Sequence, residues 1–275
     1  MAVIAISQQI GSRGSELGQL AADALGYRFR TGEQIIAETA TRYNVSAEQM
    51  LVFDMRLPHF WERLKSESPR YIAYYRAILL REASLDKLVV AGRSSAHFMP
   101  PRGTGIRVRT VAPFDVRVKQ VANEEKLAAA AADRRVREYD TEVKARSQSL
   151  FGIDLDDPGV YDLVINTVHI PLPTLAATLT SMANRIDEDA ASAPARGRAM
   201  LDAAIAAEVH AALIAHPKIR DAQVAVACAS GVVRVSGPGL VPPWDDLVIG
   251  VAKTVDGVAS VEVGAEEDPI TLTTS

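Results

Sequence analysis

The chain has 275 residues, enough for a sizeable hydrophobic core and for two domains. A hydrophobic content of 48% with 23% charged residues speaks against disorder, and a net charge of -4 leaves no basic footprint for nucleic acid. One cysteine, Cys228, excludes an intrachain disulfide framework and fits a reducing compartment. No apolar run approaches the roughly 20 residues of a membrane span and no basic segment precedes the first one, so a cytoplasmic place is expected.

In chain order, the uncharged run Val3-Ile4-Ala5-Ile6 predicts a buried strand. It gives way to Ser7-Gln8-Gln9-Ile10-Gly11-Ser12-Arg13-Gly14-Ser15 and then to a helix with its apolar period at Leu17, Leu20, Ala21, Ala24 and Leu25. A Gly/Ser loop between a buried strand and a helix N-terminus aims backbone N–H groups and the positive helix end at one spot, which suits phosphate. The loop is an imperfect copy of G-x-x-x-x-G-K-[ST]. Gln8 replaces the first glycine, Arg13 the second and Gly14 the lysine, while Ser15 matches the magnesium-side hydroxyl. An ordinary strand-to-helix turn is the other reading of these residues.

Tyr27-Arg28-Phe29-Arg30 is a short apolar-flanked piece, followed by Thr31-Gly32 and a helix from Glu33. Ser46-Ala47-Glu48-Gln49 has capping-box spacing, the segment to Trp61 reads as helical with a break at Pro58, and a further helix runs from Tyr71 to Ala83. The aromatics Phe53, Phe60, Trp61, Tyr71, Tyr74 and Tyr75 are expected to pack these helices. Leu88-Val89-Val90-Ala91 is a second buried strand ending in Gly92-Arg93-Ser94-Ser95. Arg93 there is placed to grip phosphate at the carboxyl end of an open sheet, or else is a plain surface arginine.

Ile106 to Ala112 alternates as a strand, turns at Pro113 and leads to a helix opened by Asp115. An Ala-rich helix around Lys126 to Ala132 is expected to continue to Tyr139. Arg134 and Arg137 share one face of it and Arg135 turns away. Such a run is a solvated face, or a pair of cations closing on a transferring phosphoryl group with Lys144 and Arg146 nearby. Tyr161 to Thr167 supplies another short strand and Pro171 to Arg185 a closing helix, so an α/β fold with a parallel sheet flanked by helices is expected.

Taken together, Ile6-Ser7, Gly11-Ser12-Arg13-Gly14, Gly92-Arg93, Arg107 to Arg117, Phe151-Gly152-Ile153-Asp154, Asp157-Pro158 and Tyr161 to Thr167 resemble the cytidylate kinase-like family, a branch of the P-loop nucleoside monophosphate kinases. The resemblance covers roughly residues 1–185. It implies phosphoryl transfer from ATP, with Mg2+, to a CMP- or dCMP-type acceptor. In that picture Gly11, Ser12, Arg13, Gly14 and Ser15 hold the donor phosphates and Ser15 faces the metal. Thr31 and Arg93 bind the acceptor, Arg134 and Arg137 belong to a lid that excludes water, and Arg13 stands in for the lysine.

Three departures from the cytidylate kinases touch this site: Gly14 for the loop lysine, Arg30 before Thr31-Gly32 for an aspartate, and Ser94 after Gly92-Arg93 for another. Without a substitute for the lysine the rate is expected to fall by orders of magnitude.

Asp187 to Arg198 is polar and rich in small residues and reads as a linker. Beyond it come a helix Leu201 to Ala215, a strand Ala222 to Ala227, a tight Ser230-Gly231 turn and a strand to Gly237, then a helix Trp244 to Val255 and a strand Val258 to Val263. Gly231-Val232-Val233-Arg234-Val235-Ser236-Gly237 and Val255-Asp256-Gly257-Val258 resemble a BON domain. The expected organisation is residues 1–186 as the kinase-like domain, 187–198 as linker, 199–264 as a small α+β BON-like domain and 265–275 as a tail. The BON resemblance implies a ligand, a protein partner or a second copy of the chain, as a homo-oligomer, at the C-terminal unit. Three readings stand side by side: an active nucleotide kinase, a nucleotide-binding sensor that has lost catalysis, and an interaction protein on a kinase-like scaffold.

Overall fold

Val3 to Ile6 carries no group that needs solvent, and it becomes β1 (Val3–Gln8), the centre of a five-stranded parallel sheet. The computed structural model describes residues 2–46, 50, 68–92, 95–99, 104–219, 223–237, 240 and 244–264. The segment around Ala47 to Gln49, the aromatics Phe53, Phe60 and Trp61, the break at Pro58, and Arg93 and Ser94 all lie outside these residues.

After β1 come α1 (Gly14–Leu25), β2 (Arg28–Thr31), α2 (Gly32–Arg42), α3 (Ser68–Ser84) and β3 (Leu88–Gly92). They are followed by the single turn α4 (Ser95–Phe98), β4 (Ile106–Val111), α5 (Phe114–Glu124), α6 (Ala129–Phe151), β5 (Leu163–Asn166) and α7 (Leu172–Glu188). The strand order is β2-β3-β1-β4-β5, all pairs parallel, so each crossover carries helix onto a face of the sheet.

Side chains alternate between those faces. Ile4 and Ile6 of β1, with Val89 and Val108, pack beneath Leu17, Ala21, Leu175 and Leu179 of α1 and α7. Val3 and Ala5, with Val90, pack against Tyr71, Tyr75, Leu79 and Leu80 of α3. The tyrosines of α3 are therefore core, as expected of them.

Two sequence expectations change. Lys126 takes a left-handed φ of 54° and the Leu127 N–H bonds back to the Ala122 carbonyl at 3.0 Å, so α5 closes there and α6 starts afresh at Ala129. The stretch expected as a linker is mostly helical. Asp187 and Glu188 end α7, and Ala193 to Arg198 open α8 (Ala193–Ala215) with Pro194 in its first turn. Small residues that suggest a tether are here alanines, the best helix formers, and a first-turn proline suits a helix start.

α8 is apolar on nearly all sides. Met200, Ala204, Ala207 and Ala211 join the core of α3, while Ile205, Val209 and Leu213 face the C-terminal unit. That unit contains β6 (Ala225–Ala229), β7 (Val232–Ser236), α9 (Trp244–Ala252) and β8 (Ser260–Gly264). β6 and β7 are antiparallel across a turn with Ser230 at φ 53° and Gly231 at φ 81°, and β8 adds parallel to β7. Buried Asp202 of α8 accepts the Ser230 and Gly231 N–H groups at 2.8 and 3.1 Å and so pins the turn to the shared helix. Among the described residues no helix is long and apolar enough to cross a membrane.

Candidate functional site

The loop between β1 and α1 is held from three directions. Gly11 has φ +73°, and a Cβ on it would lie 2.6 Å from the Arg117 carbonyl oxygen of α5. The Ser12 hydroxyl is buried, donating to the Gln9 carbonyl at 2.8 Å and lying 2.9 Å from Thr110 Oγ1 of β4. Thr167, just past β5, donates from its hydroxyl to the Ser12 carbonyl at 2.9 Å. Thr110, Arg117 and Thr167 belong to the blocks Arg107 to Arg117 and Tyr161 to Thr167, so those stretches are the walls of the loop.

Gly14 begins α1 in a space with no room for a side chain. A Cβ there would lie 2.5 Å from Thr110 Oγ1 and 2.7 Å from Gln8 Cβ. The Gln8 side chain fills what remains. Its Oε1 accepts the Ser15 N–H at 2.8 Å and its Nε2 donates to Ser15 Oγ at 3.1 Å. The lysine of the phosphate-loop pattern is thus absent from a position that only glycine fits. A neutral carboxamide sits at the first-turn amide and hydroxyl, where an anion would otherwise take the N–H.

Arg13 does not turn inward. It caps α1 from a left-handed φ of 57°, its side chain is half exposed, and its guanidinium donates to both Glu16 carboxylate oxygens at 2.8 and 2.6 Å. That pair raises the Arg13 pKa further. Sequence spacing brings Arg13 to the loop, and the backbone conformation at the helix start turns its side chain outward.

α6 runs beside the loop. Ile10 packs against Tyr139, Val143 and Leu155 and also against Val121, Ala132 and Val136. Buried Arg117 of α5 grips Asp140 of α6 at 3.0 and 2.7 Å and donates to the Ala112 carbonyl at 3.1 Å. Arg134 is exposed. Arg137 is exposed as well, paired with Asp133 at 2.7 Å and stacked over the Phe114 ring at 4.3 Å. The two arginines expected in a lid stand on the outer side of α6, and in this arrangement they are not gathered at the loop.

On the other face of the sheet, Thr31 is the N-cap of α2, its hydroxyl accepting the Gln34 N–H at 3.2 Å in a capping box. Arg30 pairs with Glu38. Arg93, the other expected acceptor residue, lies outside the described residues.

Sequence reading passed over two groups on this face. Arg109 of β4 is 6% exposed and its Nη1 has no hydrogen-bond partner among the described residues. Its guanidinium lies 6.0 Å from the Tyr161 ring centre, and the His97 ring packs edge-on against the same ring at 5.6 Å. Burial, then the charges of Arg109 and Arg107, push the His97 pKa down to about 4. The signal for Arg109 was available, because an arginine in a six-residue strand flanked by Val108 and Thr110 must point into one face or the other.

A parallel sheet whose central first strand feeds a glycine-containing loop onto a helix N-terminus is the architecture of the P-loop kinases, a nucleotide-binding transferase class. Residues 3–169 match the family described as the cytidylate kinase-like family, and the chain belongs to that family. A cytidylate kinase of Thermoplasma acidophilum is 27% identical over 186 residues, covering 67% of this chain and 92% of the relative. One of Methanothermobacter thermautotrophicus is 35% identical over 82 residues, covering 30% of this chain and 49%, about half, of the relative. The crystal structure of an uncharacterized protein from Eubacterium ventriosum superposes with a TM-score of 0.50 at 14% identity, over 67% of this chain and 99% of that one, a likeness of fold alone.

Proposed function

We propose that the chain is a nucleoside monophosphate kinase that transfers phosphate from ATP to a CMP- or dCMP-type acceptor. The observation that carries this reading is the loop from Gly11 to Ser15, braced by Thr110, Arg117 and Thr167 against three separate elements. A plain strand-to-helix turn needs no such bracing. Gly11, Gly14 and Ser15 would hold the donor phosphates through backbone N–H groups, with Ser15 Oγ toward Mg2+, while the Ser12 N–H already bonds to the Gln9 carbonyl at 3.1 Å. The fit requires that the Gln8 carboxamide rotate away from the Ser15 N–H and hydroxyl. When bound, the metal would neutralise charge on the phosphates.

Thr31 and Arg93 remain the proposed acceptor residues, with Arg134 and Arg137 brought in by movement of α6. Arg13, turned onto Glu16, is left out of the catalytic set. The C-terminal unit, residues 199–264, is proposed as a BON-like sensing or interaction module, and its shared helix α8 gives it a direct hold on α3.

One observation favours a second reading, a nucleotide-binding sensor without catalysis. The lysine position is closed to any side chain and the loop amide at Ser15 is already engaged. The test is ADP release from ATP and Mg2+ against a panel of nucleoside monophosphates, with products identified by mass and ATP binding measured in the same samples. Acceptor-dependent release supports the kinase and names its substrate. ATP binding without release selects the sensor.

A further inference from the structure

β4 splits its consecutive residues between two jobs. Thr110 points under the phosphate loop, and Arg109, one residue earlier, points to the opposite face of the sheet. In register, Arg109 stands level with Ser7 of β1 and Ser7 with Gly92 of β3, so it lies one residue short of the loop at the carboxyl ends of the strands, where ligands of open parallel sheets bind.

Around Arg109, three of the buried polar atoms without a partner among the described residues stand on this face: Arg109 Nη1, Ser95 Oγ and His97 Nδ1. Ser95 is fully buried. Gly92 leaves room for its hydroxyl, since a Cβ on Gly92 would lie 2.7 Å from Ser95 Oγ. His97 and Arg109 share the Tyr161 ring as a wall. The Tyr161 hydroxyl donates to the Leu155 carbonyl at 3.2 Å and lies 3.4 Å from His97 Nε2, so the other imidazole nitrogen is the one left over.

A buried guanidinium with no carboxylate costs stability and is normally paired. Elsewhere this chain follows that rule, with Arg117 on Asp140 and Arg81 on Glu208. Arg109, without a carboxylate among the described residues, stands beside a second orphan donor and an imidazole, groups that can each bond an oxyanion.

We infer that Arg109, with Ser95 and His97, is a buried oxyanion site at the carboxyl ends of the central strands that binds the phosphate of the acceptor. The inference rests on the phosphotransferase reading for the identity of its occupant. The imidazole is depressed first by burial and then by Arg109 and Arg107, and an anion at Arg109 offsets the second of these causes and moves His97 toward its protonated, donating form.

The test uses the full chain, with CMP, dCMP, UMP and AMP, the matching nucleosides, and inorganic phosphate as probes. Affinity is read by calorimetry, and the His97 ring by NMR of histidine-labelled protein, assigned with His97→Gln. The expected result is a monophosphate that moves the His97 resonance toward its protonated position while its nucleoside does not. Arg109→Met should weaken that monophosphate by about 100-fold and Arg109→Lys by less, with ATP affinity unchanged in both.

Met is close to Arg in volume and removes an unpaired charge, so the variant should melt no lower than the parent. If it does not fold, Arg109→Lys and the wild-type His97 titration decide. An equal response to inorganic phosphate supports the site with free phosphate as occupant. Unchanged monophosphate affinity in the folded variants, or a His97 resonance that no probe moves, overturns it. ADP release is scored separately. Monophosphate binding at Arg109 without release overturns the transfer reading alone, and undiminished release in Arg109→Met overturns the oxyanion site alone.

Discussion

Gln8 and Ser15 are joined by a two-point contact across the phosphate loop, the Gln8 carboxamide taking the Ser15 N–H at 2.8 Å and donating to Ser15 Oγ at 3.1 Å. In the proposed function a bound phosphate would use the same Ser15 groups, so Gln8 and the donor nucleotide would compete. Gln8→Ala is expected to tighten ATP binding by roughly three- to tenfold, the worth of about one hydrogen bond no longer displaced. Calorimetric titration with ATP and Mg2+ checks it, and weaker binding in the variant would make Gln8 a nucleotide ligand instead of a competitor.

Gly14 resists replacement through side chains on two sides. Its neighbours Thr110 Oγ1 and Gln8 Cβ stand within 2.7 Å of any added Cβ, and Thr110 is itself fixed by Ser12. Gly14→Ala should therefore cost about 1–3 kcal/mol in urea unfolding and weaken ATP binding. Gly14→Lys, which restores the phosphate-loop pattern on paper, is expected to destabilise further and not to raise any transfer rate.

Arg81 of α3 binds Glu208 of α8 with both guanidinium ends, at 3.1 Å through Nε, and reaches the Asp256 carbonyl at 3.2 Å. Glu208 is 5% exposed, and its next cation, Arg42, is 3.7 Å away. Arg81→Ala leaves that carboxylate nearly alone and is expected to cost about 2–4 kcal/mol, whereas Glu208→Gln, which keeps volume and hydrogen bonding, should cost less. Truncation after Arg185 removes Met200, Ala204 and Ala207 from the core of α3, so the shortened chain should melt well below the full one. Thermal unfolding of the three variants tests both statements.

His97 sets a pH window. An unfolded histidine takes its proton as pH falls through about 6.5, while His97 in the fold takes one only near 4, so over that interval the unfolded chain binds more protons. Stability from this group is complete above about pH 6.5 and is lost progressively down to about pH 4, at most about 3 kcal/mol in all. His210, shifted down by burial and then by Arg76, acts in the same direction. His97→Gln should flatten the slope between these pH values. Urea midpoints measured across that range give the comparison.

Local patterns in the sequence sufficed for β1 and the turn into α1, for Leu88 to Ala91, and for the hairpin at Ser230-Gly231, because each rests on a short run of apolar residues or on backbone freedom at one or two positions. The tyrosines of α3 were legible as core for the same reason. The Ala-rich stretch near Lys126 was misplaced by three residues, because a left-handed residue inside a helical composition leaves no periodic trace.

The site was legible by backbone and not by side chain. Gly11 to Ser15 could be located as the turn from β1 into α1 from glycine, serine and position alone. That Arg13 turns onto Glu16, that Gln8 folds into the loop and that Arg109 Nη1 has no partner among the described residues all depend on which surfaces meet in three dimensions. The same holds for α8: composition marks Ala193 to Arg198 as small and polar, yet helix and burial follow because α3 and the C-terminal sheet each present an apolar face that one helix can cover. Sequence by itself determined the family and the strands β1, β3 and β4 of the sheet, since the family rests on residue blocks and the strands on local apolar runs. Only the tertiary structure decided which charges find partners, because pairing depends on distances between residues far apart in the chain.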